Sequence, residues 1–288
     1  MLASLKGRRL LTAGLVCAVG LAAAGLAAYA NLRAAGAVST WHLAPNNNFG
    51  AKSDFLPGTA KFNLADVSGR RELDSLPQGV KGLVWIGACS GATEEFQTRV
   101  DAVIDHPKLF GFYLMDGPDP TGRWGPSCPA AALKAESDWI HQRRRDASTF
   151  ILLMNLGPSA APAFSSEYAP ANSHVDLIGV SPYPCRTAWA TCDIDMIDRY
   201  VAAAVQSGIP VPRIVPIYQA FGGGTWKPDN GEGYRMPTAA EMRSMLERWA
   251  RLVPRPAFDY AYSWGAQHSD ISLSQSIELQ SVFAEHNR

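Results

Sequence analysis

The sequence has 288 residues, of which 47% are hydrophobic and 18% are charged, and this composition excludes an intrinsically disordered chain. The 26 basic and 26 acidic residues cancel to a formal net charge of +0. The electrostatic signature of a protein that binds nucleic acid or an anionic membrane surface is therefore absent, and we expect one large globular domain with no nucleic-acid partner.

Residues 1–30 have the features of an export signal. A basic start that includes Lys6 and Arg9 precedes an uncharged apolar run, and the segment closes in the cleavage pattern Ala28-Tyr29-Ala30. The apolar run is about 20 residues long, which also suffices to span a bilayer. Two alternatives stay open: a signal peptide that is removed from a secreted protein, and a retained membrane anchor.

A polar segment follows the export signal. Residues 31–58 contain the run Asn46-Asn47-Asn48 and the pair Pro57-Gly58, which are typical of a linker. The globular domain is therefore expected over residues 59–288.

Apolar runs alternate with helical patterns through this domain. The runs are KFNLADV (61–67), KGLVWIG (81–87), LFGFYLMD (109–116), STFILLMNL (148–156), VDLIGVSPYP (175–184), RIVPIYQAFG (213–222) and FDYAYSWG (258–265). Helical periodicity is found in EEFQTRVDAVID, AALKAESDWIHQ, MIDRYVAAAVQSG, AAEMRSMLERWARLV and SIELQSVFAEH. Continuous apolar strands separated by helices indicate a parallel sheet that is buried on both faces.

Two α/β architectures fit this alternation, a doubly wound open sheet and a closed (β/α)8 TIM barrel. The first strand is not followed by a glycine-rich phosphate-binding loop. Nearly every strand ends in polar or aromatic residues, and in a TIM barrel these ends meet at the face that carries the chemistry. The sequence therefore favours a single TIM barrel, with an eighth strand expected around VSTWHL (38–43).

Four cysteines lie outside the export segment: Cys89, Cys128, Cys185 and Cys192. In an oxidising compartment they are expected to form disulfides, and four cysteines allow three pairings. We predict Cys185 with Cys192, which closes a short loop, and Cys89 with Cys128. No CxxC spacing or histidine cluster accompanies them, so we expect no metal and no cofactor.

Four segments, taken in order, resemble the later strands of glycoside-hydrolase-type TIM barrels: GFYLMDGPDP, DLIGVSPYP, VPIYQAFGG and YAYSWG. In the large retaining clan of that superfamily, strand four ends in Asn-Glu-Pro with an acid/base Glu. Strand seven ends in a nucleophilic Glu, and strand eight carries a Trp that forms the floor of the sugar-binding site. The resemblance places Trp264 at this Trp, but it places Gly117 and Gln219 where the two carboxylates would be. It implies a divergent carbohydrate-active barrel that lacks the usual catalytic pair.

Few carboxylates remain at predicted strand ends, and glycoside hydrolysis ordinarily needs two. Asp116 ends its strand, Asp119 lies just beyond, and Asp66 ends the first visible strand. We predict Asp116 as acid/base or sugar ligand, Asp119 as the residue that tunes its pKa, and Asp66 as a second carboxylate across the barrel mouth. Alternatively, Asp116 and Asp119 form Asx turns and Asp66 is a structural partner of a residue such as Asn155.

The predicted sugar-binding residues are amide and aromatic side chains: Asn155, Tyr183, Tyr218, Gln219 and Trp264, with Trp226 from the glycine-rich loop 222–237. Aromatic rings offer flat faces to sugars, and amides match pairs of hydroxyl groups. Two functions remain open. One is an exported, monomeric glycoside hydrolase that acts on an extracellular or envelope oligo- or polysaccharide; the other is a catalytically inactive barrel that binds glycan.

Overall fold

The structure, a computed structural model, describes residues 40–123, 127–227 and 231–288. The predicted export segment and residues 31–39 of the predicted linker lie outside the described residues. Ten strands are present in the described ranges: β1 (Trp41–Leu43), β2 (Leu64–Val67), β3 (Lys81–Trp85), β4 (Leu109–Asp116), β5 (Ser148–Leu152), β6 (Leu177–Val180), β7 (Ile214–Gln219), β8 (Phe221–Gly223), β9 (Phe258–Tyr262) and β10 (Asp270–Ser272).

Eight parallel strands close into a barrel in the order β1-β2-β3-β4-β5-β6-β7-β9. Strand β1 pairs with β2 on one side and with β9 on the other, which completes the ring. The TIM barrel predicted from the alternation is confirmed, and each of the seven apolar runs contains a barrel strand. The remaining strands, β8 and β10, form an antiparallel pair in the loops that follow β7 and β9.

Strand β1 is the eighth strand expected around residues 38–43. It falls inside the predicted linker 31–58, and the linker assignment is therefore wrong for residues 40–58. The asparagine run has a structural use there: buried Asn48 donates to the Ala44 carbonyl (2.6 Å) and accepts from the Asp66 N–H (2.8 Å). These bonds satisfy backbone groups that a three-residue strand leaves unpaired.

Seven helices lie in the described ranges: α1 (Arg70–Ser75), α2 (Glu94–Asp101), α3 (Ala130–Arg143), α4 (Pro170–Ser173), α5 (Asp195–Gln206), α6 (Ala239–Leu252) and α7 (Ile277–His286). The five predicted helical patterns are all helices, whereas the short α1 and α4 were not predicted. Thr93, Thr238 and Ser276 cap the N-termini of α2, α6 and α7. No helix of the described chain combines the length and apolar character needed to cross a membrane.

The barrel has two hydrophobic cores. Its interior is filled by large side chains: Leu43, Leu64, Leu83, Tyr113, Phe150, Leu177, Ile217, Phe258 and Tyr260. Residues of opposite parity on the same strands pack against the helices in the outer core. The direction of a side chain therefore follows from its place in the alternation of its strand.

Strand β4 departs from this alternation just before its end. Tyr113 faces the interior, whereas Leu114 and Met115 both pack in the outer core, with a register shift against β5 between Tyr113 and Met115. Asp116 is then opposite Leu152, which is an interior residue. The β-bulge therefore turns Asp116 toward the barrel mouth.

Both predicted disulfides are confirmed. Cys89 and Cys128, with Cα atoms 5.4 Å apart, join the loops after β3 and β4. Cys185 and Cys192, with Cα atoms 4.3 Å apart, close a loop after β6. Both bridges therefore constrain loops at the carboxyl ends of the strands.

Candidate functional site

Two cavities open at the carboxyl-end face of the barrel. The smaller, of about 300 Å³, is lined by Asp66 and Asp116 together with Asn46, Trp85, Tyr113, Tyr260, Tyr262 and Gln267, and we call it the acidic cavity. The larger, of about 510 Å³, is lined by Arg186, Arg199 and Lys227 together with Asn155, Ser159, Tyr183, Trp189, Asp193, Tyr200, Trp226 and Tyr234, and we call it the basic cavity.

Asp66 is half-buried at the end of β2 and points inward, two residues after the interior Leu64. Its Oδ2 accepts a hydrogen bond from the Asn46 N–H at 3.3 Å. Burial raises the pKa of the Asp66 carboxyl, the Asn46 N–H opposes this rise, and the charge of Glu72 adds to it. The carboxyl group therefore holds its proton to a higher pH than an exposed aspartate does.

Asp116 reaches the acidic cavity through the bulge of β4. Solvent contacts its side chain through the open mouth, yet protein atoms surround it on the other sides, so burial raises the pKa of its carboxyl. The Tyr113 hydroxyl opposes this rise from close by, although it makes no hydrogen bond of good geometry. Asp116 is thus open to a ligand and incompletely hydrated.

Four tyrosines surround Asp116: Tyr113, Tyr183, Tyr260 and Tyr262. Burial raises the pKa of all four, and the charge of Asp116 raises it further, so that the pKa of Tyr262 is about 12. Their hydroxyl groups are therefore protonated at neutral pH. The Tyr262 hydroxyl donates to Gln267 Oε1, whereas the Tyr113 hydroxyl has no hydrogen-bond partner among the described residues and can donate to an oxygen of a ligand.

Trp85 supplies an aromatic face to the acidic cavity. It is 37% exposed at the end of β3, and its ring meets Tyr113 edge-on at 4.7 Å. Gly87 leaves the space for the indole, because a Cβ at this position would lie 2.5 Å from the Trp85 ring. The sequence prediction missed Trp85, although its parity with the interior residue Leu83 indicates that it faces the mouth.

A stacked tyrosine pair separates the two cavities. Tyr262 lines the acidic cavity and Tyr183 the basic one, with ring centres 5.9 Å apart and planes inclined by 28°. Trp226, from the predicted loop 222–237, lines the basic cavity and stacks on Phe221 at 5.1 Å. Predicted residues Tyr183 and Trp226 therefore lie together at one end of the face.

Asn155 also lines the basic cavity, but it mainly holds a loop. Its Nδ2 donates to the Tyr200 hydroxyl at 3.0 Å, and its Oδ1 accepts from the N–H groups of Gly157 and Ala163. The predicted alternative, in which Asn155 is the partner of Asp66, finds no support, since the two residues line different cavities.

Tyr218 and Trp264 line neither cavity, and the prediction that they belong to the sugar-binding site is wrong. Tyr218 has the parity of the outer core and donates to the Asp259 carboxylate at 3.2 Å. Trp264 is 5% exposed and packs in the same outer core. Proximity to a strand end in the sequence is not sufficient, because alternation decides which side chains enter the mouth.

Gln219 is fully buried, and its amide joins the loop after β6 to the loop after β7. The Oε1 atom accepts from the Cys185 N–H at 2.8 Å, and Nε2 lies within 3.2 Å of the Cys185, Phe221 and Arg235 carbonyls. A glutamate here would place a buried negative charge against these carbonyls. Gln219 is therefore a structural residue. It lines neither cavity, contrary to its predicted place in the sugar-binding site.

Asp119 is likewise structural. It is 2% exposed, and its Oδ1 accepts from the N–H and the hydroxyl of Thr121 at 2.8 and 2.7 Å, as in an Asx turn. Its carbonyl accepts from the Cys128 N–H at 2.9 Å. The Asx-turn alternative thus describes Asp119, whereas Asp116 is the carboxylate that reaches the cavity.

A cluster of metal-ligand side chains in the described chain lies outside the barrel mouth. His42, Asp259 and His286 join β1, β9 and α7, and each imidazole contacts the carboxylate at 2.8 Å. Tyr218 also donates to Asp259. The hydrogen bonds satisfy this buried carboxylate without an ion, so the cluster acts as a structural network.

No protein-family model and no curated protein matches the sequence. Solved structures share the fold. A chitinase from Rhizomucor miehei has 13% identity and a TM-score of 0.54, with 86% of this chain and 100% of that chain covered. A chitinase-like agglutinin from Robinia pseudoacacia has 11% identity and a TM-score of 0.52, with 86% of this chain and 99% of that chain covered. A class V chitinase mutant from Cycas revoluta, in complex with (GlcNAc)3, has 13% identity and a TM-score of 0.51, with 85% of this chain and 98% of that chain covered.

Proposed function

We propose that the protein is an exported glycoside hydrolase whose active site is the acidic cavity, with Asp116 as general acid and Asp66 as general base. One observation carries the proposal: the two carboxyl groups line the same cavity of about 300 Å³ at the carboxyl ends of β2 and β4. Glycosidases need such a pair. The similarity in fold to chitinases supports a glycan as the ligand.

The strand order favours the wider of the two carboxylate spacings used by glycosidases. One strand, β3, separates β2 from β4, so their backbones are about 10 Å apart at a strand spacing of about 4.8 Å. Both side chains lean inward from these positions, which suits the roughly 6.5 to 9.5 Å used for inversion with a water between the groups. We therefore propose an inverting reaction.

The surroundings distinguish the two roles. Burial raises the pKa of both carboxyl groups, but at Asp66 the Asn46 N–H opposes this rise through a hydrogen bond of 3.3 Å, and we therefore assign Asp66 as the base. Asp116 has only the Tyr113 hydroxyl to oppose its raised pKa, which suits an acid. Asp116 donates its proton to the glycosidic oxygen as the bond to the anomeric carbon breaks. Asp66 takes a proton from the water that forms the new bond.

The test compares reducing-sugar release by the parent, Asp116→Asn and Asp66→Asn on a panel of extracellular and envelope glycans. Loss of the general acid is expected to reduce the rate by about 10² to 10⁴ while the fold is retained. Asp105→Asn, an exposed carboxylate on the surface, is the matched control. Activity that survives Asp116→Asn would contradict the assignment.

A catalytically inactive glycan-binding barrel is the second candidate, and Gln219 favours it. Its amide is committed to backbone groups at the place where the resemblance puts a nucleophilic carboxylate. The agglutinin from Robinia pseudoacacia shares the fold. Glycan binding measured by calorimetry, without sugar release from the same glycan, would establish this candidate in place of the hydrolase.

A further inference from the structure

We propose that the basic cavity binds a sugar residue that carries a negative charge, so that the ligand of this protein is an anionic glycan. The inference rests on the proposed function, in that it takes the carboxyl-end face to hold a glycan. It adds the chemical class of that glycan and a second binding position.

The charges in the basic cavity do not balance. Its described lining contains three cationic side chains, Arg186, Arg199 and Lys227, and one carboxylate, Asp193. Asp193 pairs with Arg199 at 2.5 Å. Neither Arg186 nor Lys227 forms an ion pair with a described residue, so the described lining carries a surplus of positive charge.

Arg186 is the central group of this cavity. Its side chain is 7% exposed and stacks on the Trp189 ring, with the guanidinium carbon 4.9 Å from the ring centre. Its Nη2 donates to the Ser159 hydroxyl, whereas Nε has no hydrogen-bond partner. A buried guanidinium is costly without an anion, and its planar donor set matches a carboxylate or sulfate group.

The backbone around Arg186 is fixed before a ligand arrives. The Cys185–Cys192 disulfide constrains its loop, and the Gln219 amide holds both the N–H and the carbonyl of Cys185. An antiparallel bridge also joins Arg186 to Tyr234 in the loop after β7. A preorganised cation loses little conformational entropy when it binds.

The aromatic lining indicates a charged sugar rather than a small inorganic anion. Trp189, Trp226 and Tyr183 border the same cavity, and such rings pack against the C–H faces of sugars. Tyr183 also stacks on Tyr262 of the acidic cavity. The two cavities therefore meet at this tyrosine pair, and we expect one oligosaccharide to extend from Arg186 across the pair toward Asp116.

The experiment measures binding of the full chain to paired oligosaccharides by calorimetry. One pair is oligogalacturonate and its methyl ester, and the other is a sulfated galactan and its desulfated form, so that carboxylate and sulfate ligands are distinguished. We expect at least one charged member to bind about tenfold or more tightly than its neutral partner. That preference should weaken as salt is added.

Arg186→Gln should lower the affinity for the charged member about tenfold more than the affinity for the neutral member, and thereby remove the preference. Lys227→Gln, at an exposed position, provides a second test that does not depend on a buried side chain. Arg243→Gln, whose partner is Glu285 on α7, is the control. Equal affinity for both members of each pair in the parent would overturn the inference.

The outcomes separate this inference from the proposed hydrolase. Charge-independent binding with turnover that requires Asp116 would overturn the anionic site and leave the hydrolase intact. Charge-dependent binding that requires Arg186, without turnover, would support the site and overturn the hydrolase. Absence of binding to any glycan would overturn both.

Discussion

Gly87 is the residue on which the position of the Trp85 ring depends, and we propose this ring as a platform for a sugar in the acidic cavity. Its φ of +63° is a conformation that favours glycine, and the Trp85 indole occupies the space where a Cβ would be. Gly79, with φ +82°, has the same backbone requirement but no neighbour within 4 Å of an added Cβ. Gly79 therefore serves as a control for Gly87, because an alanine there has the same backbone strain without a contact to an aromatic ring.

We expect Gly87→Ala to displace the Trp85 ring and to weaken glycan binding about tenfold, close to the effect of Trp85→Ala. Gly79→Ala should lower the free energy of unfolding by about 1 kcal/mol through backbone strain and leave binding unchanged. Calorimetric titration and urea unfolding of the three variants test this prediction. Equal affinity of Gly87→Ala and the parent would show that Trp85 is not a platform.

Some site residues were predictable from the sequence and others were not. Asp66, Asp116 and Tyr183 lie at the ends of apolar runs and Trp226 lies in the loop after one, and the structure places all four at the two cavities. Trp85, Tyr260 and Tyr262 lie within the runs, where only parity indicates that they face the mouth. The cationic lining of the basic cavity was missed, because it combines Arg186 from the loop after β6, Arg199 from helix α5 and Lys227 from the loop after β7.

At the scale of elements, Glu241 joins the start of α6 to two loops. It forms a capping box with Thr238, accepts from the Cys192 N–H at 3.1 Å, and pairs with both terminal nitrogens of Arg235 at 2.9 and 2.6 Å. The hydrogen bonds from Arg235 lower the pKa of Glu241 to about 2. The folded protein therefore favours the ionised form of this carboxylate.

We expect Glu241→Gln to lower the free energy of unfolding by about 1.5 to 3 kcal/mol at pH 7. A carboxylate whose folded pKa lies below its usual value stabilises the fold above about pH 4.5, and this stabilisation is lost as the pH falls toward 2. The difference between parent and variant should therefore shrink in that range. Urea unfolding at pH 7 and pH 3 measures it, with exposed Glu247→Gln on the same helix as control; a pH-independent difference would contradict the prediction.

The elements themselves were more predictable than their details. Seven of the eight barrel strands are long apolar runs, and these alone imply a buried parallel sheet. Strand β1 has only three residues beside a polar asparagine run, so composition assigned it to a linker, and it was expected around residues 38–43 only because a TIM barrel needs an eighth strand. The bulge in β4 leaves no mark in the sequence, since it arises from the register with β5.

At the scale of the whole molecule, Asp259 links the two strands that close the barrel, β9 and β1, to the last helix, α7. It lies on β9, binds His42 on β1 and His286 on α7, and accepts from Tyr218 on β7. Burial alone would raise the pKa of Asp259, but the bonds from His286 and His42 outweigh it and hold the pKa below its usual value. The carboxylate form therefore stabilises the fold.

We expect Asp259→Asn to lower the free energy of unfolding by about 3 kcal/mol or more at neutral pH, because it breaks a buried charged network. The effect should decline as the pH falls below about 4, where the parent carboxylate loses its charge in the unfolded state and then in the folded state. Thermal unfolding between pH 3 and pH 7 measures it, and exposed Asp74→Asn is the control. A variant as stable as the parent at pH 7 would contradict the prediction.

The loops after β6, β7 and β9 form one unit, and this matters for any transplant of the cleft to another scaffold. The antiparallel pair of β8 with β10 joins the loop after β7, the second of the three, to the loop after β9, the third. The Gln219 amide and the Arg235 N–H, which donates to the Cys185 carbonyl at 3.1 Å, join the second to the first. Grafting a single loop would break backbone bonds to at least one of the other two. Recombination should therefore move all three as one cassette, together with the disulfide and the glutamine at the end of β7.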